Sequence, residues 1–520
     1  MLFSSTIFIF LFLPCALSGY NLLSRFGRTA MLGWLAAISL VFYAYWDPVY
    51  LGLLAASILM NFCFSYGLGE GKPEAWQNRC LFTAIAANLA LLMYYKYLFP
   101  FLNFLYGRGL LRHGFPDVIL PLGISFFTFT QIAYLGDLRQ QVAKREGLLS
   151  YSVFVTFFPH LIAGPLIHPR DLLPQLETDR IRRPRAYDAA IGLSWFILGL
   201  GKKVLIADRI APLANFLYQH PYSAGLFTAW LGALAYAMQL YFDFSGYSDM
   251  AVALARMFSI ELPVNFNSPY KARSYIEMWQ RWHMTLSRYL NEYLYTPAVN
   301  WVCALRIARG KKISRKAAAT PEGFLSMVFF PLMWTMTIAG VWHGAGFQFL
   351  IFGVLQGIFL TLNHAWRYLT PKGSRFHDVI PAPLSVVITF LGFLVGLVFF
   401  RSADVHDALY ILGSMVGLHQ TGSWFSMREY MEAIPRSSFF LRSGAGCVVS
   451  LAFLFFAVWS CPNTQEIFSR VSGARIRRPS LVLPNLTWRP VMAWSLGLTV
   501  VFCLAILMLD AGARFLYFQF

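Results

Sequence analysis

The sequence predicts an all-helical protein that crosses a membrane many times. Hydrophobic residues make up 58% of the 520 residues and charged residues only 13%, which is about half the charged share of a soluble globular domain. Several stretches without any Asp, Glu, Lys or Arg are as long as the roughly 20 helical residues that cross a bilayer core. These stretches lack the strict alternation of barrel strands, so we expect helices.

The charge-free stretches give the order of the predicted membrane elements. They span residues 48–69, 118–136, 147–169, 210–242, 323–366, 379–400, 443–465 and 490–509. Two of them, 210–242 and 323–366, are long enough for two elements each. The remaining apolar segments are the N-terminal run, 29–46, 80–107 and 189–206. The length rule therefore predicts about 11 to 13 membrane elements, including re-entrant or interfacial segments.

No soluble domain interrupts this pattern, so we expect a single integral membrane domain over residues 1–520. Within it, the positions of polar segments indicate an N-terminal helical block at 1–110, a catalytic core at 111–366 and C-terminal helices at 367–520. The polar middle of the core carries the basic tract from Lys271 to Lys316.

The formal net charge of +18 does not indicate nucleic-acid binding. Its Lys and Arg residues lie in short loops between apolar segments, which is the distribution expected of loops that face the cytoplasm. A nucleic-acid binder would instead show a basic face on a recognisable binding fold. We expect the lipid bilayer, and not a nucleic acid, to be the surrounding partner.

His343 stands in the middle of the charge-free stretch 323–366. An ionisable group at membrane depth is costly and often marks a functional path. A packed core histidine with one hydrogen-bond partner is the alternative. Small residues at Gly340, Gly344 and Gly346 allow close backbone approach or a helix break that lines a cavity.

The segment "MWQRWHMTLSRYL" combines tryptophan, arginine and a second histidine, His283. If it is one helix, Trp279, His283 and Leu286 share one face, and Arg281 and Arg288 lie on the opposite face. An interfacial belt would put Trp and Arg at the headgroups but would not require an inward histidine. An amphipathic helix with an incidental inward His283 is the alternative.

Acidic and hydroxyl side chains around Gly246 form a further candidate cluster. Asp243 and Asp249, with Ser245 and Ser248, lie around Gly246 between apolar segments, and we expect them to hold a helix break by hydrogen bonding. They lack the spacing of a metal site, and the seven cysteines include no CxxC pair, so no metal site is predicted.

Three motifs together resemble the membrane-bound O-acyltransferase family, in its bacterial branch similar to alginate O-acetyltransferase. They are "FFPHLIAGPLIHP", "QLYFDFSGYSDMAVALARMFSIELPVNFNSPYKARSYIEMWQRWHMTLSRYLNEYLYTP" and "AGVWHGAGFQFLIFGVLQG". The resemblance implies a bacterial inner-membrane enzyme that moves an acetyl group from a cytoplasmic thioester such as acetyl-CoA towards a hydroxyl of an exopolysaccharide. It also implies periplasmic partner proteins and no bound cofactor.

The resemblance also assigns site residues. The family's near-invariant histidine falls on His343, for which we predict the role of general base, and the second catalytic position falls on His283. His283 would position the donor or donate a hydrogen bond to the developing oxyanion. Weaker substrate-binding candidates in these motifs are Trp279, Arg281, Trp282, Trp342, Asp243 and Ser245.

Three alternatives remain open. One is transfer of a different acyl group, such as D-alanine, to a cell-wall polymer, and another is acetylation of cellulose or peptidoglycan. The third is a transporter or flippase in which the two histidines relay protons.

Overall fold

The computed structural model describes the chain except for Glu70, Asp117, Pro184, 371–379, 420–442, 473–479, 510–515 and 517–520. The described residues form helices and no strand, so the all-helical prediction is confirmed. Parts of the predicted C-terminal block at 367–520 lie outside the described residues. The α-helices, numbered in chain order, are α1 Leu13–Leu23, α2 Arg28–Ala44, α3 Val49–Ser65, α4 Glu74–Met93, α5 Phe99–Gly107, α6 Ile124–Arg139, α7 Leu148–Thr156, α8 Phe158–Leu161, α9 Pro169–Glu177, α10 Ala186–Gly201, α11 Asp208–Gln219, α12 Leu226–Met257, α13 Tyr275–Trp279, α14 Met284–Leu290, α15 Thr296–Ala308, α16 Arg315–Ala318, α17 Pro321–Phe324, α18 Phe330–His343, α19 Phe347–Leu369, α20 Ala382–Arg401, α21 Val405–Met415, α22 Gly444–Ser460, α23 Thr464–Ile467, α24 Ser469–Ser472 and α25 Met492–Leu507.

Short π-helical segments continue several of these helices. They occupy Phe8–Phe12, Tyr94–Leu98, Lys202–Ala207, Asn291–Tyr295 and Leu325–Phe329. A π-helical turn is an α-helix with one extra residue, and it is frequent at functional sites. The segment Leu325–Phe329 lies between α17 and α18, so the continuous helix that ends at His343 contains a π-helical turn near its start.

The protein is a multi-pass membrane protein. Within the described residues, seven continuous helices are long and apolar enough to cross a bilayer: Phe8–Phe26, Val49–Leu68, Glu74–Gly107, Ala186–Gln219, Pro321–His343, Phe347–Leu369 and Ala382–Arg401. Three shorter apolar helices are α2, α22 and α25. The predicted elements at 118–136 and 147–169 correspond to the shorter helices α6 and α7, because the chain turns within these stretches.

One compact unit comprises residues 1–205, 244–264 and 489–519. Its core is rich in aromatic side chains; for example, the ring centroids of Phe3 and Tyr247 lie 4.6 Å apart. Buried amides pair within it: Asn88 Nδ2 donates to Asn61 Oδ1 at 2.6 Å. Amide–amide bonds of this kind join membrane helices where apolar contact gives no hydrophobic gain.

The second unit comprises residues 206–243 and 265–488, and it contains both predicted catalytic histidines. Its closest helix pair is α18 and α19, which cross at Gly340 and Gly353. A Cβ atom built on Gly340 would lie 2.6 Å from Gly353 Cα and would also strike Phe349 O. Only glycine lets the two backbones approach this closely, so the glycines hold the end of α18 against α19.

Candidate active site

The segment that carries His283 is two short helices and not one. α13 ends at Trp279, α14 begins at Met284, and the prediction of a continuous amphipathic helix is wrong. The cause is a tertiary hydrogen bond: Met284 N donates to Asn265 O at 2.9 Å instead of to a carbonyl one turn earlier. The neighbouring loop is fixed in the same way, since Asn267 N donates to Arg281 O at 2.9 Å.

The break places His283 in an uncommon backbone conformation. Its φ is 42° and its ψ is 54°, in the left-handed region that costs a residue with a Cβ roughly 1–2 kcal/mol. Only a few residues other than glycine adopt a positive φ in the described chain. Such residues tend to cluster at functional sites, where the surrounding structure holds them in place. The side chain is buried, as predicted, with a relative exposure of 2%.

Asn265 orients the His283 ring. Asn265 Oδ1 accepts from the backbone N of Thr285 at 3.3 Å and from Thr285 Oγ1 at 2.9 Å, so this atom is the amide oxygen. It also lies 2.9 Å from His283 Nδ1. Because an amide oxygen only accepts, Nδ1 carries the proton and Nε2 carries the lone pair of the neutral ring.

Burial keeps that ring neutral. His283 lies outside the candidate membrane spans, and burial lowers its pKa to about 3. At neutral pH the side chain is therefore an uncharged imidazole with its proton on Nδ1. Such a ring can accept a hydrogen bond or a proton at Nε2.

The tryptophans beside His283 pack inward. Trp282 lies among aromatic rings, with its centroid 5.1 Å from Phe266 and 5.1 Å from Phe393. Trp279 is buried, and its backbone oxygen accepts from Ser287 Oγ at 2.9 Å. These contacts position the segment. The weak prediction that Trp279 and Trp282 bind substrate stays a prediction.

Arg281 is held by an acidic neighbour on its own segment. Its Nη2 lies 2.9 Å from Glu277 Oε1 in an ion pair, and its Nη1 donates to Asn267 O at 3.0 Å. These contacts lock the turn before His283. The weak prediction that Arg281 binds substrate stays a prediction.

His343 is the last residue of α18 and is buried, with a relative exposure of 8%. Aromatic rings surround its imidazole: the centroid of Trp342 lies 4.8 Å away, that of Phe400 4.9 Å and that of Phe352 5.9 Å. The Gly340 contact one turn earlier fixes the helix end. The helix break that the sequence offered as one use of the nearby glycines lies directly after His343, since α18 ends at that residue and α19 starts at Phe347.

Helix α20 connects the two histidine environments. Phe393 contacts Trp282, the neighbour of His283, and Phe400 contacts His343 itself. The two phenylalanines are seven residues apart on one face, which separates them by roughly 10 Å along the helix axis.

A buried polar pair lies against the same helix. Tyr275 Oη donates to Gln356 Oε1 at 2.5 Å, and Gln356 is fully buried. A Cβ atom on Gly396 of α20 would strike Gln356 Nε2. Because Gly396 has no side chain, the amide group of Gln356 fits against α20 at a position between Phe393 and Phe400.

Asp243 and Ser245 do not flank a helix break. α12 runs without interruption from Leu226 to Met257, so that prediction is wrong. The residues beside Gly246 have low helix propensity, but their side chains are almost entirely buried, and tertiary packing of this kind overrides local propensity. Asp243 and Ser245 are both buried, with relative exposures of 2% and 1%.

Across the part of the chain that the structure describes, no group of three or more His, Cys, Asp or Glu side chains could hold a metal ion. The polar groups described beside the two histidine environments are amides and hydroxyls, such as those of Asn265, Thr285 and Tyr275. Sequence reasoning missed Asn265, Gln356 and Tyr275. Asn265 stands in the quoted motif at "LPVNFNSPY", but its partner lies 18 residues away and no periodicity marks that contact.

The described chain is thus a multi-pass helical membrane protein with two buried histidines, one of them oriented by an amide. The chain belongs to the membrane-bound O-acyltransferase family, MBOAT. The family's model matches residues 90–306, a range that includes His283 and ends before His343. The chain is therefore an O-acyltransferase of the membrane.

Similarity to individual proteins extends beyond the residues that the family model matches. The chain is 37% identical over 466 residues to a peptidoglycan O-acetyltransferase of Helicobacter pylori, with 84% of each chain covered. It is 34% identical over 536 residues to a probable alginate O-acetylase, AlgI, of Pseudomonas putida, with 100% of each covered. A teichoic acid D-alanyltransferase of Bacillus subtilis is 26% identical over 57% of this chain and 72% of its own length.

Proposed function

We propose that this enzyme moves an acetyl group from a cytoplasmic thioester, such as acetyl-CoA, across or within the membrane towards a hydroxyl of an exopolysaccharide such as alginate, with His343 as the general base. Similarity over 100% of the chain to a protein named as an alginate O-acetylase supports this acceptor class. We place the enzyme in a bacterial inner membrane, with periplasmic partner proteins that complete the modification. No bound cofactor is required, because the thioester is consumed as a substrate.

The reaction exchanges one acyl bond for another. The acceptor oxygen forms a C–O bond to the acetyl carbonyl carbon, the C–S bond breaks, and the hydroxyl proton ends on the departing thiolate. His343 accepts that proton as general base and returns it to the sulfur. A positioned general base typically contributes about 10²- to 10⁴-fold in rate.

His283 has a positioning role in this proposal. With its proton on Nδ1 and directed to Asn265, the neutral ring offers a lone pair at Nε2. It therefore suits accepting a hydrogen bond from a substrate O–H or N–H, and it suits donation to an oxyanion less well. Of the two roles that the sequence left open, the Asn265 contact favours positioning.

The test uses the purified full-length enzyme with radiolabelled acetyl-CoA and alginate oligosaccharides. We expect His343→Ala to lose at least about 10²-fold in kcat and His283→Ala to lose less. His113→Ala, an exposed histidine outside the motifs, is the matched control and keeps the parent rate. Equal acetylation by all three variants would contradict both assigned roles.

Peptidoglycan is the second acceptor candidate, because the relative of Helicobacter pylori is named for it. Running the same assay with peptidoglycan fragments separates the two acceptors. D-alanyl transfer has weaker support, since the relative named for it is 26% identical. Thermal stabilisation by acetyl-CoA but not by free nucleotides would support the thioester donor, and no shift at saturating concentration would count against it.

A further inference from the structure

The loop that orients His283 is itself held by residues from a distant part of the chain. This loop, residues 265–271, begins with Asn265, and its Ser268 has a φ of 47° and a ψ of 60°. Left-handed backbone of this kind costs a residue with a Cβ roughly 1–2 kcal/mol. It persists only where the surrounding structure supplies enough contacts to hold it. The contacts that hold the loop therefore also bear on the orientation of His283.

An anchor segment, residues 459–466, contacts the strained part of the loop through Asn463. The Nδ2 of Asn463 donates to Asn267 Oδ1 at 3.0 Å and to Ser268 Oγ at 2.7 Å. Its Oδ1 accepts from Glu466 N at 2.8 Å and so caps the start of α23. One amide thus uses its oxygen within the anchor segment and its two N–H groups on the loop.

Gln465 and Trp459 hold two carbonyl oxygens of the same loop. Gln465 is buried and donates from Nε2 to Phe266 O. Trp459 Nε1 donates to Tyr270 O at 3.0 Å. The rings of Phe266 and Tyr270 lie 5.1 and 6.2 Å from the ring of Trp282, the residue before the oriented histidine. The anchor segment therefore also fixes the backbone from which this aromatic packing is built.

The far end of the loop is held by a charged group. Lys271 Nζ donates to Cys461 O and to Ser480 Oγ, both at 2.9 Å. Ser480 Oγ donates in turn to Glu466 Oε2 at 2.6 Å, and Glu466 Oε1 lies 3.8 Å from Lys271 Nζ. In all, five of the seven loop residues, 266–268, 270 and 271, form a hydrogen bond with the anchor segment.

We propose that Asn463 and Gln465 are positioning residues for His283 and act through the loop that they hold. The backbone of Asn265 fixes the start of α14, and its side chain fixes the imidazole. A loop that moves therefore carries the ring with it. Both proposed residues lie outside the range 90–306 that the family's model matches. The expected effect on catalysis rests on the proposed function, whereas the expected effect on the loop does not.

The first experiment measures hydrogen–deuterium exchange of the full-length protein in lipid nanodiscs by mass spectrometry. The reporters are the amides of Asn267 and Met284, whose hydrogen bonds join the loop to the segment of His283. Gln465→Met removes one donor and keeps an unbranched side chain that adapts to its surroundings. It should speed exchange at both reporter amides about fivefold, as expected when local opening is eased by the loss of one hydrogen bond.

Asn463→Ser is the second variant, because serine also caps helices but is too short to reach the loop. It removes two donors and should speed exchange at the same amides by roughly 5- to 30-fold. Gln77→Met is the matched control. Gln77 is a buried glutamine of the other unit whose Nε2 donates to Lys72 O at 2.9 Å, so its replacement should leave exchange at the reporter amides unchanged.

Acetyl transfer by the same variants tests whether the anchor segment acts through His283. Gln465→Met should lower kcat about fivefold in the parent but change it by less than about twofold in the His283→Ala background, because the two substitutions then disturb the same ring. Unchanged exchange in both variants, or an equal loss of kcat in both backgrounds, overturns the positioning role. Faster exchange in both variants, with no acetyl transfer by the parent to any acceptor, supports the anchoring of the loop and contradicts the proposed function.

Discussion

Replacing Asn265 by alanine tests the orientation of His283 more directly than replacing the histidine itself. The substitution removes the oxygen that Thr285 N, Thr285 Oγ1 and His283 Nδ1 approach at 3.3, 2.9 and 2.9 Å. At about 1 kcal/mol for each hydrogen bond, the free energy of unfolding should fall by roughly 3 kcal/mol. The imidazole also loses the acceptor that keeps its proton on Nδ1.

We therefore expect Asn265→Ala to lower kcat by about 10- to 100-fold. This is the loss found when a metal-ligating histidine loses the hydrogen-bond partner that orients its ring, and Asn265 orients the His283 ring in the same way. The assay is the initial rate of acetyl transfer at saturating donor and acceptor, measured below the thermal midpoint of the variant. His343→Ala serves as the fully impaired reference. A double variant with His283→Ala should be no slower than His283→Ala alone, because Asn265 acts through that ring.

Asn88→Ala separates catalysis from stability. Asn88 is also fully buried and makes three hydrogen bonds, two to the side chain of Asn61 and one to Ala84 O. It should lose a similar amount of stability while keeping its kcat at temperatures where the variant is folded. If Asn265→Ala loses stability to the same extent and stays within twofold of the parent rate, the orienting role of Asn265 is refuted.

Three further outcomes are expected. Asn265→Asp keeps an acceptor but adds a negative charge, which raises the pKa of the buried histidine that it faces, so the acid limb of the kcat profile should move to higher pH. Gly340→Ala places a methyl group against backbone and should lower the thermal midpoint by several degrees, whereas Gly52→Ala, with open space at that position, should not. Burial lowers the pKa of Lys271, and Glu466→Gln removes its acidic neighbour at 3.8 Å, so the pKa of Lys271 in the folded variant should fall further. Because folded Lys271 then releases its proton at a lower pH than unfolded Lys271 does, the thermal midpoint of the variant should rise as pH increases from 7 towards about 10.

The helices could be predicted because their cause is local. A stretch such as 379–400 holds no charged residue, and a helix is the way such a stretch satisfies its own backbone in lipid. α20, Ala382–Arg401, follows that prediction closely. His343 was noticed for the same reason, since an ionisable residue stands out in a stretch without charges.

The geometry around His283 could not be predicted, because its causes are distant in sequence. Helical periodicity correctly turned His283 inward, but it assumed a helix that the Asn265 backbone interrupts. Arg401, at the end of α20, is a further case, because its contacts with Asn215 and with the Tyr218 ring join residues far apart in the chain and no sequence pattern marks them.

The direction in which His343 points from its helix depends on the extra residue in the π-helical segment Leu325–Phe329. Removing one residue there would restore α-helical spacing and turn every later residue of the helix by about 100°. His343 would then leave the face on which it meets Phe400. A homologue with one residue fewer at this turn would have to direct its histidine elsewhere or restore the residue before the helix ends. The direction of the candidate base therefore depends on one inserted residue about four turns earlier in the helix.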